Sequence, residues 1–325
     1  KSVLVKHLVG LLMPDKGQIF LDDLEITSLS EKEFYPVRKR CAMVFQNSTL
    51  FDSMTLQENV ALPIRKHRDV SQKQAMEMAL EKLRLVGMHH YATRVPADFG
   101  DGMQKKVAIA RALTLDPEYV IFDEPTTALD VTTQIDVLKA IKDAIRATGV
   151  AALYITHDLA VVAQMADRVV VMFRGNKVEE GPVEQIFENP QHPYTKALLA
   201  AVPKLGEMEG TTGPMRLKLM GDGQSEAQPI LPKEDKVLLD VKHLTTRFAV
   251  KGGLLRRTVA NVHAVEDVSF QVKSGQTLSL VGESGCGKSS CGRSVLRLVE
   301  PTSGEVWLDG VNIMEFSQQD LRRAR

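Results

Sequence analysis

The sequence predicts a mixed α/β protein, a sheet with flanking helices and a separate helical lobe, and three stretches carry that expectation. Leu278-Ser-Leu-Val-Gly-Glu-Ser-Gly-Cys-Gly-Lys-Ser-Ser290 is a short apolar run that breaks into a glycine-rich turn. It reads as a strand feeding a phosphate-binding P-loop. Tyr119-Val-Ile-Phe-Asp-Glu124 is a buried-strand pattern with two carboxylates at its C-terminal end, where open α/β sheets bind ligands. Gln72 to Leu85 repeats apolar residues three and four apart, as a helix does.

In the P-loop, Gly282, Gly285 and Gly287 let the backbone curl so that N–H groups point inward at a phosphate, and the next helix adds its N-terminal partial charge. Glu283, Ser284, Cys286 and Ser290 complete the turn. Lys288 is expected to reach the β- and γ-phosphates, and Ser289 to place a hydroxyl on Mg²⁺.

The beginning of the chain repeats this region. Lys1-Ser2 matches Lys288-Ser289, and Pro14, Gly17 and Asp22 match Pro301, Gly304 and Asp309, all 287 positions apart. Lys1 and Ser2 thus read as the end of a first P-loop. The expected organisation is a first domain over 1–203 without its N-terminal strands and P-loop glycines, a linker over 204–236, and the N-terminal part of a second domain over 237–325. The linker expectation rests on five glycines and lost periodicity between Lys204 and Lys236. A composite domain is expected from this, in which Thr277 to Val281 fills a vacant central strand beside that of Phe122.

Composition narrows the function classes. Of 325 residues, 44% are hydrophobic and 25% charged, which is ordinary globular usage. Lys plus Arg equals Asp plus Glu at 41 each, so no basic excess favours nucleic acid. Three cysteines, Cys41, Cys286 and Cys291, do not make a metal or disulfide framework. No apolar run reaches the roughly 18 residues that span a bilayer, so a membrane role is expected to run through a partner.

In chain order, 3–12 is apolar nearly all round, as a helix packed inside a domain would be. Gln18 to Leu21 and Cys41 to Phe45 read as strands, the second leading to Gln46, ordinarily a turn residue. A loop from Pro96 to Gln104 opens a helix expected over 105–115, whose start is a place for an anion. Asp123 reads as the Mg²⁺-side carboxylate, and Glu124 as the group that orients or deprotonates water. The strand Val150 to Thr156 ends in His157, an imidazole at the same sheet edge. Val237 to Phe248 and His263 to Val272 alternate as strands around a basic insertion, Lys251 to Arg257.

The P-loop, Gln46, the glycine loop with Gln104, Asp123-Glu124 and His157, in that order around a helical lobe, resemble the nucleotide-binding domain of ABC transporters. The resemblance implies a P-loop NTPase of ABC type with an antiparallel β subdomain, ATP and Mg²⁺ as cofactors, and a second nucleotide-binding domain as partner. It makes Phe248 the adenine-stacking aromatic, Gln46 a sensor of γ-phosphate and Mg²⁺, Phe99 to Gln104 the signature segment, Asp130 an inter-domain contact and His157 the γ-phosphate switch. His192 to Pro203 and Val262 to Phe270 are similar to the fused importers of dipeptides, oligopeptides and glutathione. Leu50 to Pro63 is more similar to lipid-trafficking importers. The implied setting is the cytoplasmic face of the inner membrane, with transmembrane permease subunits and a solute-binding protein and without nucleic acid. Alternatives are a non-transport ABC ATPase acting on nucleic acid or ribosomes, and a regulatory ATP-binding domain with weak turnover. Phe99-Gly100-Asp101-Gly102 departs from the family's Leu-Ser-Gly-Gly, which removes a hydroxyl and adds a carboxylate.

Overall fold

The computed structural model describes residues 2–202, 235–252 and 257–324. They fall into two compact units, one on each side of the undescribed stretch 203–234. Lys1, the side chain of Ser2 and nearly all of the expected linker lie outside the described residues.

In the first unit, α1 (Ser2–Leu8), β1 (Phe20–Leu21), β2 (Leu24–Glu25), α2 (Glu31–Arg40) and β3 (Cys41–Val44) lead into a helical lobe of α3 (Leu56–His67), α4 (Gln72–Leu85) and α5 (Asp101–Ala112). Then follow β4 (Tyr119–Asp123), α6 (Val131–Thr148), β5 (Ala151–Ile155), α7 (Leu159–Met165), β6 (Arg168–Phe173), β7 (Asn176–Pro182), α8 (Val183–Glu188) and α9 (Pro193–Ala200). Ser30–Glu33, Thr55–Glu58 and Ser71–Gln74 form reciprocal capping boxes that start α2, α3 and α4. The core joins lobe to sheet: Leu56, Ile64, Leu83 and Ile109 pack in one cluster with Phe122 and Ile141.

β3, β4 and β5 form a parallel sheet in that order, with Val44 opposite Phe122 and Phe122 opposite Tyr154. Arg40 grips this sheet from below. Its guanidinium donates to Glu118 and Asp22, and Tyr119 donates to Asp22 at 2.6 Å. β6 and β7 make a separate antiparallel hairpin, turned by Arg174 and Gly175 at positive φ.

The second unit is antiparallel. β8 (Val237–Gly252) and β9 (Arg257–Lys273) form a long hairpin, joined after α10 (Lys288–Val295) by β10 (Ser303–Leu308), β11 (Val311–Asn312) and α11 (Gln318–Ala324). The strand order is β11-β10-β8-β9, and α10 lays Cys291 on Val241, Leu244, Val265 and Val306.

Several expectations are corrected. The helix expected over 3–12 stops at Leu8, because Gly10 turns the chain at φ +67° and Leu11 and Leu12 bond back to Lys6 O. Only its Val5, with Val9 just beyond, is buried, against Ile121, while Val3, Leu4 and Leu12 are exposed. The strands around the basic insertion run further than alternation indicated and take in Lys251 and Arg257.

The strand expected at 277–281 does not form. A buried parallel strand needs neighbours on both sides, and the described sheet of this unit is antiparallel; Val281 is 87% exposed. Its expected place beside Phe122 is taken, since β4 is paired by β3 on one side and β5 on the other. The composite pairing is therefore not adopted.

The contrast between these two strands is measurable. Phe122→Ala should cost about 3–5 kcal/mol, whereas Val281→Ala should stay within about 0.5 kcal/mol, both read from denaturant midpoints. A cost at Val281 comparable to that at Phe122 would mean that 278–281 is a buried strand after all.

Candidate nucleotide site

Because β3, β4 and β5 share direction and register, Gln46, Asp123, Glu124 and His157 leave the sheet at one edge. Asp123 is buried and Gln46 exposed. Glu124 holds a left-handed φ of +48°, and its N–H donates to Ile155 O at 3.0 Å. Such a conformation is uncommon away from glycine and marks a position held by its surroundings. His157 Nδ1 lies 3.0 Å from Glu124 Oε2, and Thr127 Oγ1 donates to the same oxygen at 2.7 Å. Two donors thus fix the direction of one carboxylate.

The neighbouring loops are tied to this edge. Asp130 caps α6, its carboxylate accepting from Thr133 N at 3.0 Å and Thr133 Oγ1 at 2.8 Å. Asp158 caps α7 and accepts from Gln134 Nε2 at 3.0 Å. Partial burial works against its charge, but the Gln134 and backbone bonds outweigh it and hold the carboxyl below the usual range.

The signature segment is helical earlier than expected. α5 begins at Asp101 rather than Lys105, with Gly100 as an N-cap that offers no side-chain acceptor. Without a Ser, Thr, Asp or Asn at that position the sequence carried no start signal. Asp101 is exposed in the first turn. Gln104 donates to Pro96 O at 3.1 Å and Phe99 O at 3.0 Å, so its amide braces its own loop. Phe99 packs edge-on against Tyr91. At Gly102 a Cβ would come within 2.1 Å of Thr133 Cγ2, which brings α5 and α6 close together.

Two cations of α5 reach the loop after β3. Lys105 Nζ donates to Phe45 O at 3.0 Å and to Gln46 O. Arg111 donates to Ser48 O at 3.2 Å and to Thr49 O at 2.9 Å. Burial pushes the pKa of both cations down. Neither residue, nor Thr127, stood out in the sequence reading. The signal for Lys105 was a lysine spaced three and four residues before Ala108 and Ile109 on an apolar face.

In the second unit the P-loop is a turn with Gly285 at φ +83° and Gly287 at φ +97°. A Cβ at Gly287 would stand 2.0 Å from Ala264 O, so only glycine closes the turn onto β9. Lys288 Nζ folds over the turn and donates to Gly282 O at 2.8 Å and Glu283 O at 2.6 Å, with Cys286 Sγ at 3.5 Å. Ser289 and Ser290 lie in the first turn of α10, while Ser284 is exposed at the turn. Phe248 is 42% exposed on β8, opposite Val262 and so two residues from the strand position on which Gly287 rests. A glycine turn at a helix start, with a lysine over it and an exposed ring on the adjacent hairpin, fits a nucleoside phosphate.

Comparison with known proteins agrees with this geometry. Residues 1–127 and 265–325 match the ABC transporter family model, and 178–219 match the oligopeptide/dipeptide transporter C-terminal region. The chain is 42% identical over 337 residues to the glutathione import ATP-binding protein GsiA of Escherichia coli K12, covering 99% of this chain and 54% of that protein. It is equally similar, over 338 residues, to GsiA of Shigella boydii, with the same coverage. The chain thus spans about half the length of the curated relatives it matches. The post-hydrolysis dimer of the ATP-binding cassette MJ0796 bound to ADP and Pi superposes with a TM-score of 0.51 at 29% identity, over 56% of this chain and 80% of that one. CbiO1 from Clostridium perfringens gives 0.54 at 26%, over 58% and 74%. The fold is that of a mixed α/β P-loop NTPase with helical and antiparallel β subdomains. With residues 1–127 and 265–325 matched by the family model, the chain belongs to the ABC transporter family.

Proposed function

We propose that this chain binds and hydrolyses ATP to energise an importer of peptides or a glutathione-like solute. The observation that carries the reading is the Glu124 carboxylate held between His157 Nδ1 and Thr127 Oγ1 at the open end of a parallel sheet. In this role Glu124 orients and deprotonates the attacking water, and His157 keeps the carboxylate aimed and meets the γ-phosphate. Lys288 exchanges its carbonyl partners for phosphate oxygens, and the N–H groups from Gly285 to Ser289 line the cradle. Gln46 and Asp123 would be Mg²⁺ ligands of the first unit, and Ser289 would supply a hydroxyl to Mg²⁺ in the second. When bound, Mg²⁺ neutralises charge on the phosphate oxygens. Phe248 stacks on adenine.

The match over 178–219 and the GsiA relatives support the peptide and glutathione side of the reading. Permease subunits, a solute-binding protein and a second nucleotide-binding domain are the partners this implies. No helix among the described residues is long and apolar enough to cross a membrane; the reading places the chain at the cytoplasmic face beside a permease, as its GsiA relatives suggest. We also propose the domain division at 1–203, 204–236 and 237–325, supported by the 287-residue repeat.

Asp101 favours a second reading, ATP binding with slow turnover. Its carboxylate stands in the first turn of α5, where the family places a hydroxyl and glycines against the γ-phosphate. Losing one charge-assisted hydrogen bond costs about 1.5–3 kcal/mol, before any repulsion.

Two experiments test these readings. Glu124→Gln should lower ATP turnover by about 10²–10⁴-fold with nucleotide still bound, whereas Lys288→Ala should lose binding itself. Parental turnover in Glu124→Gln would remove the residue from the base role. Gly100→Ser combined with Asp101→Gly should raise the hydrolysis rate by about tenfold, the return of one such bond. An unchanged rate would mean that this segment does not limit turnover.

A further inference from the structure

Lys105 is a cation inside the protein that none of the steps above uses. The residue is 3% exposed. Taking an ammonium out of water carries a penalty of several kcal/mol unless its hydrogen bonds are made inside. It donates to two main-chain carbonyls, Phe45 O and Gln46 O, where β3 ends and the Gln46 loop begins. Arg111, further along the same helix, takes the next carbonyls, Ser48 O and Thr49 O, and also Thr49 Oγ1 at 2.9 Å. Thr49 is held at a left-handed φ of +50°. The path of residues 45–49 is thus set by two side chains of α5.

The arrangement reaches back to the start of that helix. Asp101, four residues before Lys105, is the charge that favours the ammonium against burial. Four residues are about one helical turn, so the first turn of α5 and the backbone of Gln46 are joined through one rigid element.

We propose that Lys105 is a positioning residue for Gln46, which fixes the backbone from which the glutamine reaches Mg²⁺ and the γ-phosphate and makes that reach follow the signature helix. The proposal rests on the ATPase reading. A side chain at the end of a loose loop samples many directions, and a displacement of about 1 Å at a reacting centre can cost about 10²-fold in rate. With both carbonyls gripped, the Cα–Cβ direction of Gln46 has little freedom, and a shift of α5 is passed to it directly.

The test uses the full chain in four forms: Lys105→Met, Lys105→Gln, Gln46→Ala and the double variant Gln46→Ala/Lys105→Met. Met keeps the length of the lysine and loses its donors, whereas Gln retains a donor. Without nucleotide, amide hydrogen exchange at 46–50 should accelerate by about tenfold in Lys105→Met, with α3 and α4 amides unchanged, as local opening would give. Lys105→Gln should stay closer to the parent. Unchanged exchange at 46–50 in Lys105→Met overturns the proposal whatever the enzyme does. In MgATP turnover, Lys105→Met should lower kcat by about 10–100-fold with KM moved much less. The double variant should be no slower than Gln46→Ala alone, because the lysine acts through the glutamine. Losses that multiply in the double variant overturn the proposal and leave the ATPase reading standing. Absence of turnover in the parent overturns both, and the exchange result then tells whether the anchor itself is real.

Discussion

Parallel pairing of β3, β4 and β5 in a single register is the constraint on which the chemistry of the first unit depends. Successive parallel strands must each end at the same side of the sheet, so three segments far apart in sequence deliver Gln46, Asp123-Glu124 and His157 to one edge. The residues beneath that edge hold the register. Phe122 fills the core between sheet and helical lobe, and Arg40 joins Glu118 and Asp22 at the opposite end. A one-residue slip of β4 would turn Phe122 outward and take Glu124 from His157.

Around that edge the loops are held largely by side-chain to main-chain bonds. Asp130 and Asp158 close helix starts, Gln104 braces the turn before α5, and Lys105 and Arg111 hold the carbonyls after β3. Each bond orders a loop whose backbone groups would otherwise go unpaired. The close approach of Gly102 to Thr133 ties α5 to α6 by packing instead. A carboxylate such as Glu124 can remain at a strained φ because so many neighbours determine its place.

Much of this was legible in the sequence, for reasons that can be named. The strand of Phe122 is an unbroken apolar run ending in two acids, and α4 repeats apolar residues three and four apart from Gln72 to Leu85. Legibility ended where structure depends on what is not local. The apolar run 278–281 has the composition of a strand, but a strand exists only with a neighbour. The start of α5 was hidden because Gly100 caps with backbone alone. Lys105 reads as one more surface charge until its carbonyl partners, some sixty residues earlier, are seen.

The open side of β5 has a practical consequence. Among the described residues β5 is paired by β4 alone, and its Leu153 is exposed, as are Leu278, Leu280 and Val281 in the other unit. An unpaired strand edge with apolar neighbours is a template for any extended chain that meets it, and a second molecule brings such a chain. Among the described residues, the open side of β5 is a place where one more strand can be added.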